Sequence, residues 1–436
     1  MAPTFVSSRS FMATIKPFAA LRPKPNLASQ ICELPYDVLS SEEARGFASH
    51  NPLSFFHVSK PEVDLPPGTD IHAPEVYAKG RENFQKLIRD GALKQDSQPG
   101  FYLYRQIMGK HSQTGIVAAA SCEEYLRGVI KKHELTRVDK EDDRVRHIEA
   151  LNSQTGPVFL AHRSDDALEK FVAGKISGKP DVDFTGADGV RHTSWTISDA
   201  EEIKFVERVF AGIPRLYIAD GHHRSAAAAR VYKKRGSGRE SVQKPLEESQ
   251  SRLTSAATAG NSGKFLAVIF PHNQMQILPY NRVLKDLNGR TPEQLLEILD
   301  GVFTITANGN AAPGARHEIG FYLGGQWRTL AFRRKFFETA EPLAKLDVEL
   351  LQRHVLAPVF GIADPRTSKR IHFVGGIRGT AELEKLVDSG EYACAFSMFP
   401  TGMDDLMAVA DAGGIMPPKS TWFEPKLRDG IFCHMI

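Results

Sequence analysis

Apolar and polar positions alternate along this chain in short runs, and the period switches between two and about 3.6 several times. Residues 15–60 alternate apolar pieces with turns: 15–21, then Arg22-Pro23-Lys24-Pro25-Asn26, then 31–36. Tyr77, Phe84 and Ile88 share one face of a helix predicted over 74–88, with Pro74 at its first position and Asp90-Gly91 at its end. Strands are predicted at 101–107 and 116–121, joined as a hairpin by a longer loop from Gly109 to Gly115. The stretch 127–156 is the most charged and reads as loop plus helix, followed by a strand at 158–161.

The apolar strand 215–219 runs straight into Asp220-Gly221-His222-His223-Arg224, and an alanine-rich helix is predicted over 225–235. Residues 236–263 are rich in Ser, Gly, Gln, Glu and Thr, which predicts a mobile insertion. Strands resume at 265–270 and 275–279. Thr291-Pro292-Glu293-Gln294 then opens a capped helix that Gly301 closes. A meander over 303–332, a helix marked by Leu343, Leu346, Leu350 and Leu351, strands at 371–374 and 393–398, and a short helix over 401–412 complete the pattern. No repeat of 20 to 50 residues is present. Helices and strands interleave without strict βαβ alternation, so the expected fold class is α+β or mixed α/β.

Composition narrows the function classes. The chain has 436 residues, 42% hydrophobic and 25% charged, enough for a large core and against wholesale disorder. Its 55 Lys+Arg against 52 Asp+Glu leave +3, so no global basic field draws nucleic acid or an anionic membrane. Cys32, Cys122, Cys394 and Cys433 are far apart with no C-x-x-C pairing, which argues against a zinc knuckle or disulfide framework. The longest apolar stretches, 115–120 and 265–270, fall well short of the roughly 18 residues of a spanning helix. Residues 1–11 lack an apolar signal core; their freedom from acidic residues leaves an organelle-targeting extension open. The expectation is a soluble cytoplasmic protein. Its expected parts are a flexible extension over 1–14, a catalytic region over 15–290 and a C-terminal α/β region over 291–436.

Four segments could carry chemistry. Asp220-Gly221-His222-His223-Arg224 sits at an expected helix N-terminus, where free N–H groups and the helix dipole favour an anion. His222, His223 and Arg224 add donors suited to a phosphoryl group, and Asp220 could take a proton or hold a divalent ion. The ordinary alternative is a surface turn capped by Asp220. Lys131-Lys132-His133-Glu134-Leu135-Thr136 is close to H-E-x-x-H, but Arg137 stands where the second histidine belongs, so the zinc-protease reading fails. The segment could still supply phosphate contacts (Lys131, His133) and a carboxylate base (Glu134), while the charge run from Lys140 to His147 has the look of a solvated face. Lys419-Ser420-Thr421, inside Met416–Leu427, offers a cation and two hydroxyls as a phosphate cup, without the glycines of a P-loop. The ordinary alternative is an ordered loop packing Trp422 and Phe423. Glu33 and Asp37 flank Leu34-Pro35-Tyr36 and either point carboxylates into a cleft or cap a helix starting near Ser41.

Taken together, P-Y-D-V at 35–38, K-x-H-E-x-T at 131–136, D-G-H-H-R at 220–224 and M-P-P-K-S-T-x-F-x-P-K-L at 416–427 resemble the DUF1015 family. The resemblance implies a ParB/sulfiredoxin-like core with further C-terminal α/β elements, and a kinase-like phosphotransferase acting on free L-serine. Pyrophosphate or ATP/ADP would be the donor and Mg²⁺ the expected metal. It implies Asp220 as acid/base or metal partner and Gly221, His222, His223 and Arg224 as phosphoryl contacts, with Glu33 or Glu134 as the catalytic glutamate. Lys419, Ser420 and Thr421 would close the cleft. Two rivals remain at this stage. One is a nucleotide-triggered ParB-like DNA-binding protein, disfavoured by the near-neutral charge; the other is a metal-dependent phosphohydrolase using Asp220, His222 and His223.

Overall fold

The computed structural model describes residues 12–240 and 263–436. Residues 1–11 of the predicted extension and 241–262 of the predicted insertion lie outside the described residues. The fold is mixed α/β and divides into two compact units. The first comprises the chain up to Lys131, Leu135–Gln274 and Pro425–Ile436; the second comprises Lys132–Glu134 and Met275–Glu424. The division therefore falls after Gln274 rather than after residue 290, because the strand Tyr280–Leu284 pairs with Ile371–Gly375 and Cys394–Met398 of the second unit. From Pro425 onward the chain returns to the first unit, bridging Leu21 through Cys433 and Glu33 through Asp429.

The first unit is built on β1 (Ile15–Lys16), β2 (Phe101–Met108), β3 (His111–Ser121), β4 (Ile130–Lys131), β5 (Val158–His162), β6 (Val182–Thr185), β7 (Arg191–Ile197), β8 (Leu216–Asp220) and β9 (Lys264–Pro271). They form one sheet in the order β4-β8-β5-β9-β3-β2-β7-β6, with β1 also on β3. Only the β4–β8 and β5–β9 pairs are parallel. Successive side chains point to opposite faces of a strand. Thus Phe101 and Leu103 join Ile116, Leu160, Ile218 and Ile269 in one core, which the helix Ala200–Phe210 covers with Val206 and Phe210. Tyr102 and Tyr104 face the other way, against Phe432 of the returning C-terminus.

The β2–β3 hairpin is tighter than predicted. Its turn is Gly109-Lys110 alone, with Gly109 at φ +58°, and the ladder begins at Met108–His111. The polar start of β3 stays in the sheet because Gln113 donates to Gln106 across the strands at 3.0 Å and Gln106 donates to the Lys426 carbonyl at 2.7 Å.

The second unit has a six-stranded antiparallel sheet. Its strands are β10 (Tyr280–Leu284), β11 (Phe303–Ala307), β12 (Glu318–Leu323), β13 (Gln326–Phe332), β14 (Ile371–Gly375) and β15 (Cys394–Met398), ordered β11-β13-β12-β15-β10-β14. The helix Pro292–Asp300 carries the expected capping box, Thr291 with Gln294. The run marked by Leu343, Leu346, Leu350 and Leu351 is not one helix: a single tight turn, Leu343–Lys345, precedes the helical Asp347–Leu351.

Candidate active site

The alanine-rich helix begins three residues earlier than its composition suggests, at His222, and runs to Glu240. Gly221 makes this possible. Its φ of +93° turns the chain from β8 into the helix, a conformation that favours glycine. A β-carbon there would stand 3.1 Å from Arg224 Nε. His222, His223 and Arg224 therefore occupy the first helical turn, where backbone N–H groups have no intrahelical acceptor. Ala226 to Ala229 behind them are buried, so the helix lies close on its neighbours.

Asp220 ends β8, and both of its oxygens are engaged. Oδ1 accepts the Gly221 N–H at 2.6 Å with Arg224 Nη2 3.6 Å away, and Oδ2 accepts from Lys426 Nζ at 3.0 Å. Burial alone would raise this carboxyl; the charges of Lys426 and Arg224 outweigh it and hold Asp220 well below the usual range. This donor set does not suit Mg²⁺. A divalent ion wants an octahedron of oxygens, and here a lone carboxylate is already bridged by an ammonium and an amide. His223 is held below its ordinary value, first by burial and then by Arg224 against the pull of Asp37; its Nε2 accepts the Arg137 N–H at 3.3 Å. The imidazole is therefore neutral near pH 7. His222 is buried.

Beneath this junction lies a cavity lined by Tyr36, Arg144, His147, Thr155, Gly156, Arg224 and Asp429, among others. The centre of a water-sized sphere can occupy about 30 Å³ of it. That is room for on the order of two waters, far below what a whole nucleotide needs. Arg144 is held on two sides: its guanidinium lies 3.8 Å from the Tyr36 ring centroid, and Nε and Nη2 donate to Asp143 at 2.9 and 2.7 Å. Burial and the Arg144 charge push His147 down to about 4, so it is neutral, with Nε2 against the Val58 carbonyl at 2.9 Å.

Asp429 is 2% exposed. Burial, with the charge of Asp37, pushes its carboxyl up to about 7 despite Arg224 and Arg144. Its Oδ1 and the Nε of Arg224 are both buried without a hydrogen-bond partner in the protein. Arg224 donates instead through Nη1 to the Pro157 carbonyl at 2.6 Å.

The other residues named from sequence divide between the units. Glu33 is in the first: its backbone pairs with Asp429, its Oε1 accepts from Ser54 Oγ at 2.6 Å, and burial raises its carboxyl above the usual range. The helix Ser41–Ala48 is capped by Ser40 with Glu43, so neither Glu33 nor Asp37 is needed as its cap. Lys131 sits in β4, its position paired with Tyr217 of β8. His133, Glu134, Lys419, Ser420 and Thr421 belong to the second unit. There two of the sequence motifs meet, the Met416 N–H donating to the His133 carbonyl at 2.8 Å. His133 is buried and Glu134 exposed. Lys419 adopts φ +58° and its Nζ approaches Tyr280 Oη at 3.2 Å. Ser420 Oγ donates to the Pro417 carbonyl at 2.6 Å and Thr401 Oγ1 to the Ser420 carbonyl at 3.1 Å, so these groups hold the loop itself. Arg282, 2% exposed, donates to the Lys419 carbonyl at 3.3 Å.

Sequence reasoning missed Arg144, Asp429 and the role of Lys426. Arg144 lies in a charge run read as a solvated face, yet it is only partly exposed and its neighbours Asp143 and His147 are buried. A signal was present: Asp143, Arg144 and His147 are spaced as one inward face of a helix that also carries Ile148 and Leu151.

The chain is thus a mixed α/β protein with a polar strand-to-helix junction at Asp220–Arg224. The chain belongs to the DUF1015 family, described as a protein of unknown function, which it matches over residues 15–349. No curated protein matches it. Among solved structures it is similar to a conserved hypothetical protein from Pyrococcus furiosus, at 14% identity over 72% of this chain and 94% of that one, with a TM-score of 0.34. A free serine kinase in complex with AMP is similar at 13% identity over 70% of this chain and 86% of that one, with a TM-score of 0.33. SbnI with a C-terminal truncation, from Staphylococcus aureus, is similar at 12% identity over 72% and 85%, with a TM-score of 0.37. Among the described residues, no helix is long and apolar enough to cross a membrane.

Proposed function

We propose that this chain is a phosphotransferase moving a phosphoryl group from pyrophosphate or a nucleotide, ATP or ADP, to a small hydroxyl acceptor, with free L-serine as the leading acceptor. One observation carries the reading: a helix N-terminus, entered through a glycine at φ +93°, gathers His222, His223 and Arg224 within one turn beside an ionised Asp220 that Lys426 bridges. Phosphoryl transfer demands positioning and charge neutralisation more than covalent catalysis, and the free N–H groups of a helix N-terminus with Arg224 and Lys426 close by are groups suited to that.

The carboxyls of the first unit are pushed apart, which separates their roles. Asp220 stays ionised at every physiological pH and anchors Lys426 and Arg224, so it is a positioning group rather than the base. Glu33, held above its usual range, and Glu134 stay candidates for the base. In the reaction the acceptor oxygen attacks phosphorus, its proton passes to the carboxylate, and the bond to the leaving phosphate breaks with its electron pair on the donor side. Asp220→Asn and His223→Ala in purified protein are expected to lower turnover about 100-fold or more. Unchanged turnover in both variants, with the fold intact by circular dichroism, contradicts the assignment.

A further inference from the structure

The cavity beneath the junction has a chemistry that the phosphoryl contacts do not use. One wall presents a buried donor, Arg224 Nε, and another a buried acceptor, Asp429 Oδ1, and neither finds a partner in the protein. Leaving such groups unpaired costs about 1–3 kcal/mol each, more when charged. The two are near neighbours: a β-carbon on Gly156 would stand 2.6 Å from Asp429 Oδ1 and 3.5 Å from Arg224 Cδ. The group that completes this pair must accept one hydrogen bond, donate another, and fit where about two waters fit. A hydroxyl on a single carbon does all three. A deprotonated anion meets both needs only while Asp429 carries the proton, whereas a hydroxyl, able to donate or accept, meets them in either state.

We infer that this cavity is the acceptor's hydroxyl subsite, in which the hydroxyl donates to Asp429 Oδ1 and accepts from Arg224 Nε, so that Asp429 and Gly156 set specificity for hydroxylic over methyl-bearing molecules. The inference rests on the phosphotransfer reading for the identity of the ligand. Asp429 selects the hydroxyl and, because the hydroxyl's hydrogen lies on it in this pose, is also placed to take that proton as the oxygen attacks. The charged and titratable groups acting on it are Arg224, Arg144 and Asp37; Cys433 is raised in part by Asp429 itself, and Glu33 pairs with its backbone. Gly156 has no left-handed φ, so alanine is compatible with its backbone and its methyl would fill the gap and push Asp429 aside.

The test is calorimetric binding of L-serine, glycerol and ethanolamine, with L-alanine as the methyl control, to wild type, Gly156→Ala and Asp429→Asn, all checked for folding by thermal melting. Wild type should bind at least one hydroxylic probe and prefer L-serine over L-alanine by 100-fold or more. Gly156→Ala should weaken the hydroxylic probe at least tenfold, and Asp429→Asn should reduce the serine-to-alanine preference at least tenfold. If wild type binds none of the three, or both variants keep wild-type affinity and preference, the subsite assignment is overturned. Binding lost in the variants without turnover from any donor upholds the subsite and removes the phosphotransfer reading. Turnover that survives unchanged in both variants does the reverse.

Discussion

Two polar regions of this protein carry similar residue types and handle them oppositely. The Lys419–Thr421 loop of the second unit directs its hydroxyls at itself, Ser420 Oγ to Pro417 and Thr401 Oγ1 to Ser420. The Arg282 guanidinium behind it donates to the Lys419 carbonyl, while its Nε stays buried without a hydrogen-bond partner. The junction of the first unit instead leaves a donor and an acceptor together, Arg224 Nε and Asp429 Oδ1, buried and unpartnered beside a cavity. A string of Lys, Ser and Thr is therefore weak evidence for phosphate binding until the destination of each hydrogen is known. Buried groups that the protein does not satisfy are the stronger indicator of a ligand.

The largest effect expected from breaking this contrast comes from Arg224. Replacing it with Met removes the cation shared by Asp220, Asp37 and Asp429 and leaves buried carboxylates without compensation. Urea unfolding should show a loss of about 3–5 kcal/mol, and turnover should vanish. A loss below about 1 kcal/mol would mean that the cluster is solvated.

Acid comes next, and it separates the two units. His147, His162 and His434, all in the first unit, are each pushed down to about 4, burial being the first cause in each. A histidine with a depressed folded value takes up its proton in the unfolded chain first, so stability falls as pH drops from the unfolded value near 6.5 towards 4. At pH 5 each should cost roughly 2 kcal/mol. Melting followed by hydrogen exchange should show the first unit loosening between pH 6.5 and 4 ahead of the Tyr280–Leu284 sheet; simultaneous loss would contradict this. Asp429 has the opposite sign. Its raised carboxyl keeps in the fold a proton that the unfolded chain releases near pH 4, so stability declines as pH rises from 4 through about 7. Asp429→Asn should therefore raise the melting temperature by several degrees at pH 8 and leave it nearly unchanged at pH 4.

The smallest effect belongs to the second region. Ser420→Ala deletes one hydrogen bond within a loop and should cost about 1 kcal/mol of stability. Turnover should change less than threefold; a 100-fold drop would restore the phosphate-cup reading of Lys419-Ser420-Thr421.

Much of this architecture was legible in the sequence because local pattern and local structure agree. Pro74, Thr291-Pro292 and the apolar strand before Asp220 each announce an element boundary through a mechanism confined to a few residues. What could not be read is what long-range return decides. Asp429 and Lys426 meet Asp220 and Arg224 only because the chain beyond Pro425 leaves the second sheet and pairs with Leu21 and Glu33. The helical spacing of Asp143, Arg144 and His147 marks an inward face, but the partner on it, Tyr36 from more than a hundred residues away, is not written in the charge run. The alanine helix starts earlier than the alanine run for a local reason: Gly221, at φ +93°, turns the chain so that the helix begins at once with His222.

Phosphorus NMR of the purified chain with L-serine and each of ATP, ADP and pyrophosphate tests the phosphotransfer reading most directly. The account predicts a new phosphomonoester resonance with at least one donor, absent when His223→Ala protein replaces wild type. No such resonance from folded protein with any donor, or an undiminished one from the variant, would contradict it.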